Sequence, residues 1–254
     1  MLKTHRFLTI PMVKKPRDFF CKSSDGAIIY TTDGNFLYAE KDGVTIRLDI
    51  FDKHYYKLRP VNGVPILEID GLRMQLVRDF KTPLDYAKEV VRQLKIPEKG
   101  EFAVLDSCMG LGYTAIEAAK LPSVRSVVTC ELSEAVVMLA QWNPCSEFLF
   151  AKETKIVLMK GSSSDLIKNF DSKLFHYIIH DPPRISHAQD LYSSEFYKEL
   201  YRVCKKGARI FHYVGSVGKG KGRRIESEVE KRLKLVGFRN ITYIEKLQGL
   251  VVEK

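Results

Sequence analysis

From residue 25 to residue 77 the apolar and β-branched positions come in short runs, AIIY, NFLYAE, VTIRLDI, HYYKL, VPILEI and LRMQLV, separated by small polar pairs. The pairs are Asp25-Gly26, Asp33-Gly34, Asp42-Gly43, Asn62-Gly63 and Asp70-Gly71. They suit type I′ hairpin turns, which need positive φ at both central residues. The pattern predicts a small antiparallel β domain, a sheet or partial barrel, within residues 1–80.

The period changes at about residue 80. Thr82 can cap a helix with Pro83 at its first position and Asp85 closing a capping box, and residues 84–94 carry helical apolar spacing. Strand-like runs at 102–106, 127–131, 156–160, 175–180 and 209–214 then alternate with helical segments at 134–141, 165–169, 194–203 and 225–236. Two last β runs, ITYIEKL and GLVVEK, meet at Gln248-Gly249. Alternation predicts a parallel sheet, and the closing pair predicts an antiparallel edge. Residues 81–254 therefore read as an α/β domain of Rossmann-like type.

The most informative stretch is FAVLDSCMGLGYTAIEAAKL, residues 102–121: a strand, an acidic residue, a glycine turn and a helix. Asp106, Gly110 and Gly112 give D-x-x-x-G-x-G, and Gly112 with Ala115 also satisfies the looser G-x-G-x-x-A dinucleotide pattern. Charge separates the two cofactors. A pyrophosphate at this helix N-terminus would meet a carboxylate a few residues away, whereas S-adenosylmethionine (SAM) brings an ammonium and a sulfonium that Asp106 would attract. About twenty residues on stands Glu131, placed to accept both ribose hydroxyls.

With LDSCMGLG and TCELSEA on these elements, residues 82–254 resemble the class I SAM-dependent methyltransferases. The resemblance implies the strand order 3-2-1-4-5-7-6. It also implies cofactor contacts from Asp106, Ser107, Cys108, Gly110, Gly112, Tyr113, Glu131 and Leu132, and from the turn Gly161, Ser162, Ser163 against the adenine. Ser162, a candidate N-cap, holds the place that is often acidic in that family.

The second informative stretch is FHYIIHDPPRISHAQDLY. Asp181-Pro182-Pro183-Arg184 follows a buried strand, and ligands of open α/β sheets bind beyond the carboxyl ends of the strands. The tetrapeptide resembles the [D/N/S]-P-P-[Y/F/W] motif of methyltransferases that modify exocyclic base amines. The resemblance implies that Asp181 and the Pro182 carbonyl accept hydrogen bonds from the amine, with Arg184 replacing the usual aromatic. Such an amine is a poor nucleophile because its lone pair is delocalised, and two fixed acceptors favour the pyramidal form. His180 and His212 read as core histidines, and His187 as a loop residue for substrate contact. Carbon-5 methylation of a pyrimidine would require a cysteine nucleophile, and none lies in this turn.

Composition adds a partner. The chain has 254 residues, 45% of them hydrophobic, with a formal net charge of +10, an excess that favours a phosphate-bearing substrate such as RNA. Lys219, Lys221, Arg223 and Arg224 fall in GSVGKGKGRR, a phosphate-gripping loop or a solvated linker; the loop lacks the P-loop pattern. Five cysteines without a C-x-x-C pair argue against a disulfide framework and a zinc site, so no metal is expected. No stretch is apolar enough for a secretory or membrane-spanning segment, so the expected address is cytoplasmic. The expectation is an RNA methyltransferase acting on a base amine. The motif HDPPRISHAQDLYSSEFYKELYRV resembles an archaeal DPPR-containing group, which places cytidine N4 of ribosomal RNA ahead of guanine N2 and adenine N6. The rivals are a spermidine-synthase-like aminopropyltransferase and a non-catalytic RNA-binding module on the same scaffold.

Overall fold

The computed structural model describes residues 18–75, 78–215 and 225–254. Strands β1 (Asp18–Lys22), β2 (Ile29–Thr32), β3 (Leu37–Lys41) and β4 (Val44–Arg47) form one antiparallel sheet. A second contains β5 (Asp49–Phe51), β6 (Tyr55–Val61), β7 (Val64–Ile69) and β8 (Leu72–Arg73). Three of the expected turns have both central residues at positive φ: Asp42-Gly43 at 51° and 77°, Asn62-Gly63 at 49° and 79°, and Asp70-Gly71 at 48° and 80°. The other two are built differently. There the aspartate side chain closes the turn, Asp25 Oδ1 accepting from the Ala27 N–H and Asp33 Oδ1 from the Phe36 N–H.

The run VTIRLDI, expected as one strand, divides between the two sheets at Leu48. Its N–H donates to the Leu37 carbonyl, and its own carbonyl accepts from the Leu58 N–H. Leu48 is 2% exposed. One buried residue thus serves both ladders, and the chain changes sheet there.

Helix α1 (Pro83–Leu94) has the expected capping box, with Thr82 and Asp85 bonded reciprocally. It leads into a seven-stranded sheet of β9 (Phe102–Asp106), β10 (Val124–Glu131), β11 (Ile156–Lys160), β12 (Phe175–His180), β13 (Cys204–Tyr213), β14 (Arg239–Ile244) and β15 (Gly249–Glu253). The order is β11-β10-β9-β12-β13-β15-β14, the 3-2-1-4-5-7-6 arrangement that the resemblance implied. β15 runs antiparallel to both neighbours, and the other pairings in this sheet are parallel. The intervening helices are α2 (Tyr113–Ala119), α3 (Glu134–Gln141), α4 (Ser163–Leu166), α5 (Ser194–Val203) and α6 (Ile225–Val236). The helical segment expected at 165–169 begins earlier, as α4, and finishes as a 3-10 turn. Ser162 stands at the N-cap of α4, but its hydroxyl bonds Ser164 instead of a backbone N–H.

Apolar residues gather on both faces of this sheet. On one, Tyr86, Val90 and Leu94 of α1 and Ile116 of α2 share a continuous cluster with Leu37, Leu58 and Leu67 of the two small sheets. On the other, Phe196, Tyr197 and Leu200 of α5 and Leu233 of α6 cover Phe175, Ile178 and Ile210. The small sheets are thereby held on α1 and α2 through buried apolar surface.

Candidate functional site

Four neighbouring parallel strands, β10, β9, β12 and β13, end at one edge of the large sheet, and their last residues or the residues just beyond them converge. These are Glu131, Asp106, Asp181 and Tyr213. The turn after β9 is tied to that edge by backbone bonds: Ser107 N–H to Ile179 O, 2.9 Å, and Met109 N–H to Cys130 O, 2.8 Å. Gly112 starts α2 at φ +76°, and a Cβ there would stand 2.8 Å from Leu149. A side chain at that position would strain the turn and crowd the Leu149 side chain of the 3-10 segment Pro144–Phe150.

Glu131 latches the turn from the side. Its Oε2 accepts from the Gly110 N–H at 3.0 Å and its Oε1 from the Ser133 N–H at 2.8 Å, while burial raises its pKa. Beside it Leu132 is 73% exposed, an apolar platform next to the turn 161–163. The Gly161 N–H donates to the Glu131 carbonyl at 2.8 Å, so that turn is registered on the same residue.

Asp106 sits where charge alone did not place it. It is 0% exposed, and its two oxygens accept from Thr114 Oγ1 at 3.0 Å and Thr129 Oγ1 at 2.6 Å. Burial pushes its pKa up to about 7. The carboxyl thus lies beneath the turn, engaged by hydroxyls. Tyr113 is likewise turned inward. Its hydroxyl donates to Pro65 O of β7 at 2.6 Å and accepts from Asn143 at 2.9 Å. The Ser107 hydroxyl faces His180, and the Ser163 hydroxyl donates to the Ser107 carbonyl. Cys108 lies within the field of Glu131, Asp106 and Asp181, and its burial holds the thiol protonated.

Asp181 follows β12, half-buried, with its Oδ2 accepting from Tyr86 of α1 at 3.1 Å. Burial pushes its pKa up to about 7, and the Tyr86 bond opposes that rise. Pro182 is buried, and Pro183 and Arg184 are exposed. The Pro183 carbonyl accepts from Tyr192 at 3.0 Å, and Arg184 lies near the Tyr213 hydroxyl. His187 is exposed, its ring bonded to Ser186, on the side of the site that faces Asp70 in the β7–β8 turn. Gln75, just after β8, approaches the glycine turn, its amide nitrogen 3.6 Å from where a Gly110 Cβ would stand. Through Gln75, which accepts from the Leu67 N–H of β7, the second small sheet lies beside the glycine turn.

The structure thus brings together the acidic, glycine-turn and proline-turn residues expected from sequence. Lys219, Lys221, Arg223 and Arg224 lie outside the described residues. Tyr86, Tyr192, Tyr213 and Gln75 were missed. A tyrosine within the apolar face of α1 was the available signal, since a buried phenol needs a partner. Among the described residues no cluster of histidine, cysteine and carboxylate side chains is arranged to hold a metal, and no helix is long and apolar enough to cross a membrane.

The donor and acceptor set suits SAM better than a dinucleotide. The Glu131 carboxylate at the turn is an unfavourable neighbour for a pyrophosphate, while Glu131 and the exposed Leu132 suit a ribose and an adenine.

The strand order, with its antiparallel last strand and the glycine turn after β9, defines a class I methyltransferase-like α/β fold. Solved structures of the same fold include spermidine synthase in complex with the transition state analogue AdoDATO. It has a TM-score of 0.63 and 16% identity, over 94% of this chain and 80% of that one. Spermidine synthase from Thermotoga maritima gives 0.60 and 16%, over 94% and 79%. MNMC2 from Aquifex aeolicus gives 0.57 and 15%, over 78% and 69%. The chain belongs to the family of the uncharacterized protein MJ1233 of Methanocaldococcus jannaschii, with 44% identity over 223 residues, 87% of this chain and 75% of that protein. No protein-family model matches the chain.

Proposed function

We propose that this chain is a SAM-dependent RNA methyltransferase acting on an exocyclic base amine, with cytidine N4 of ribosomal RNA as the first choice of target. The observation that carries the reading is Asp181, bonded by Tyr86 just beyond β12 at the carboxyl edge of the large sheet and followed by a rigid proline turn. When bound, SAM supplies a methyl group made electrophilic by its sulfonium.

The chain's own residues do the rest. Glu131, Leu132 and the turn 161–163 hold the ribose and adenine, and the glycine turn admits the cofactor closely. The Asp181 carboxylate and the Pro182 carbonyl accept hydrogen bonds from the target amine and turn its lone pair toward the methyl. A carboxylate with its pKa near 7 also takes the amine proton as nitrogen gains a bond. Tyr86 keeps Asp181 in one orientation, while Arg184 and His187 at the rim meet the flanking nucleotides or phosphates. The division into residues 1–80 and 81–254 belongs to the same proposal, the first part walling the substrate side. The basic composition supports an RNA partner, and the expected address is cytoplasmic.

The test is a pair of variants. If Asp181 acts through its charge, Asp181→Asn and Asp181→Ala both lose roughly 10²- to 10⁴-fold in kcat with SAM affinity little changed. Near-normal methylation of RNA by Asp181→Ala overturns the assignment.

A second reading, aminopropyl transfer to a polyamine, is favoured by the spermidine synthase likeness, which spans 94% of the chain, including the small sheets. Labelled product from decarboxylated SAM and putrescine would establish it, and its absence would remove it.

A further inference from the structure

By sequence, His180 and Ser107 belong to different parts of the chain, one a core residue and the other a cofactor contact. In the fold they are joined. Ser107 Oγ lies 2.6 Å from His180 Nδ1, and His180 Nε2 lies 2.9 Å from the Leu191 carbonyl. A carbonyl only accepts, so Nε2 carries the ring proton, Nδ1 is the acceptor, and the Ser107 hydroxyl donates to it. Both residues are buried, at 1% and 0% exposure, so neither bond is exchanged with water.

Each end of this pair leads to a different half of the site. On one side the Ser107 carbonyl accepts from Ser163, the first residue of α4, in the turn assigned to the adenine. On the other side Leu191 adjoins Tyr192, whose hydroxyl donates to the Pro183 carbonyl at 3.0 Å. The ring itself is held by Phe196 and His212, with centroids 5.0 and 4.4 Å away. Hydrogen bonds, joined by covalent steps within Ser107 and from Leu191 through Tyr192, therefore run from the cofactor turn, through His180, to the proline turn.

We propose that His180 is a positioning residue, which sets the separation and orientation of the cofactor turn and the proline turn through its two ring bonds. Methyl transfer needs nitrogen, carbon and sulfur in line, and a misplacement of about 1 Å costs on the order of 10²-fold. This rests on the methyltransferase reading for its kinetic consequence only, since the linkage between the turns exists in the free protein.

Three variants separate the bonds. Ser107→Ala removes one hydroxyl and little else; His180→Gln keeps a donor for Leu191 and loses the acceptor at Nδ1. His180→Asn keeps an acceptor near Nδ1 for Ser107. Ser107→Ala and His180→Gln should each lower kcat about 10- to 100-fold, and His180→Gln, which lies outside the cofactor contacts, should keep SAM Kd and RNA KM within about threefold. The double variant should be no worse than the poorer single one, and His180→Asn, which loses the Leu191 bond in place of the Ser107 bond, should fall about as far as His180→Gln. Losses that multiply in the double variant, or a His180→Gln loss that lies wholly in SAM Kd, overturn the proposal. Hydrogen exchange of the free protein covers failure of the methyltransferase reading. Ser107→Ala, altered on the cofactor side, should speed amide exchange across residues 189–192 on the other side. Unchanged exchange there overturns the proposal whether or not the wild-type protein methylates RNA.

Discussion

Replacing Tyr86 by phenylalanine removes the hydroxyl that donates to Asp181 Oδ2 at 3.1 Å and leaves the buried ring in place. Burial holds Asp181 near pKa 7, and the Tyr86 bond is the influence that opposes it. A hydrogen bond to a charged group is worth roughly 1.5–3 kcal/mol. The length of this one and the half-open site place it at the low end, and about 1.4 kcal/mol corresponds to one pKa unit. Tyr86→Phe should therefore raise the Asp181 pKa by about one unit. If ionised Asp181 is the active form, the acid limb of the kcat profile moves from about pH 7 to about pH 8. At pH 7 the variant should be about fivefold slower, and at pH 9 nearly normal. The assay is single-turnover methylation of RNA from pH 5.5 to 9.5. Asp106 also ionises near 7, so the profile is taken in parallel on Asp106→Asn to identify which limb belongs to Asp181. A Tyr86→Phe limb that coincides with the wild-type limb, or lies below it, would refute the reasoning.

Glu131→Ala should weaken SAM binding by about 1.5–3 kcal/mol, read by calorimetry, since it removes charged acceptors and also unlatches Gly110; an unchanged affinity removes Glu131 from the site. The Asp106 carboxyl has its pKa raised by burial, so its contribution to stability is present below about pH 4 and is lost as pH rises through about 7. Asp106→Asn should accordingly raise Tm at pH 8 more than at pH 5, and a larger gain at pH 5 would contradict the assigned burial. RNA affinity should fall steeply with salt, and neutralising Lys219, Lys221, Arg223 and Arg224 together should flatten the log-log slope by roughly 0.7 for each phosphate no longer neutralised; an unaltered slope would make that loop a linker.

The sequence made local features legible where the determinant is local. The Thr82 and Asp85 capping box, the three Asp-Gly or Asn-Gly turns at positive φ and the strand-helix alternation each depend on residues a few positions apart. The split of VTIRLDI did not show, because alternation continues unbroken through Leu48 and only the two flanking ladders reveal the change of sheet. Asp106 was correctly placed at a strand end, yet its orientation depends on Thr129, on a neighbouring strand 23 residues away. The bonds Tyr86 to Asp181 and Ser107 to His180 join residues 95 and 73 positions apart. Periodicity places such residues on a face or at an edge; packing then selects the partner.

The central claim is transfer of a methyl group from SAM to a base amine of RNA. Its most direct test incubates the full chain with methyl-labelled SAM and ribosomal RNA, followed by nucleoside mass spectrometry, beside a second incubation with labelled decarboxylated SAM and putrescine. The label is expected on an exocyclic amine, N4-methylcytidine first, with no aminopropyl product. Labelled polyamine, or a methyl group confined to ring carbon or ribose oxygen, would contradict it.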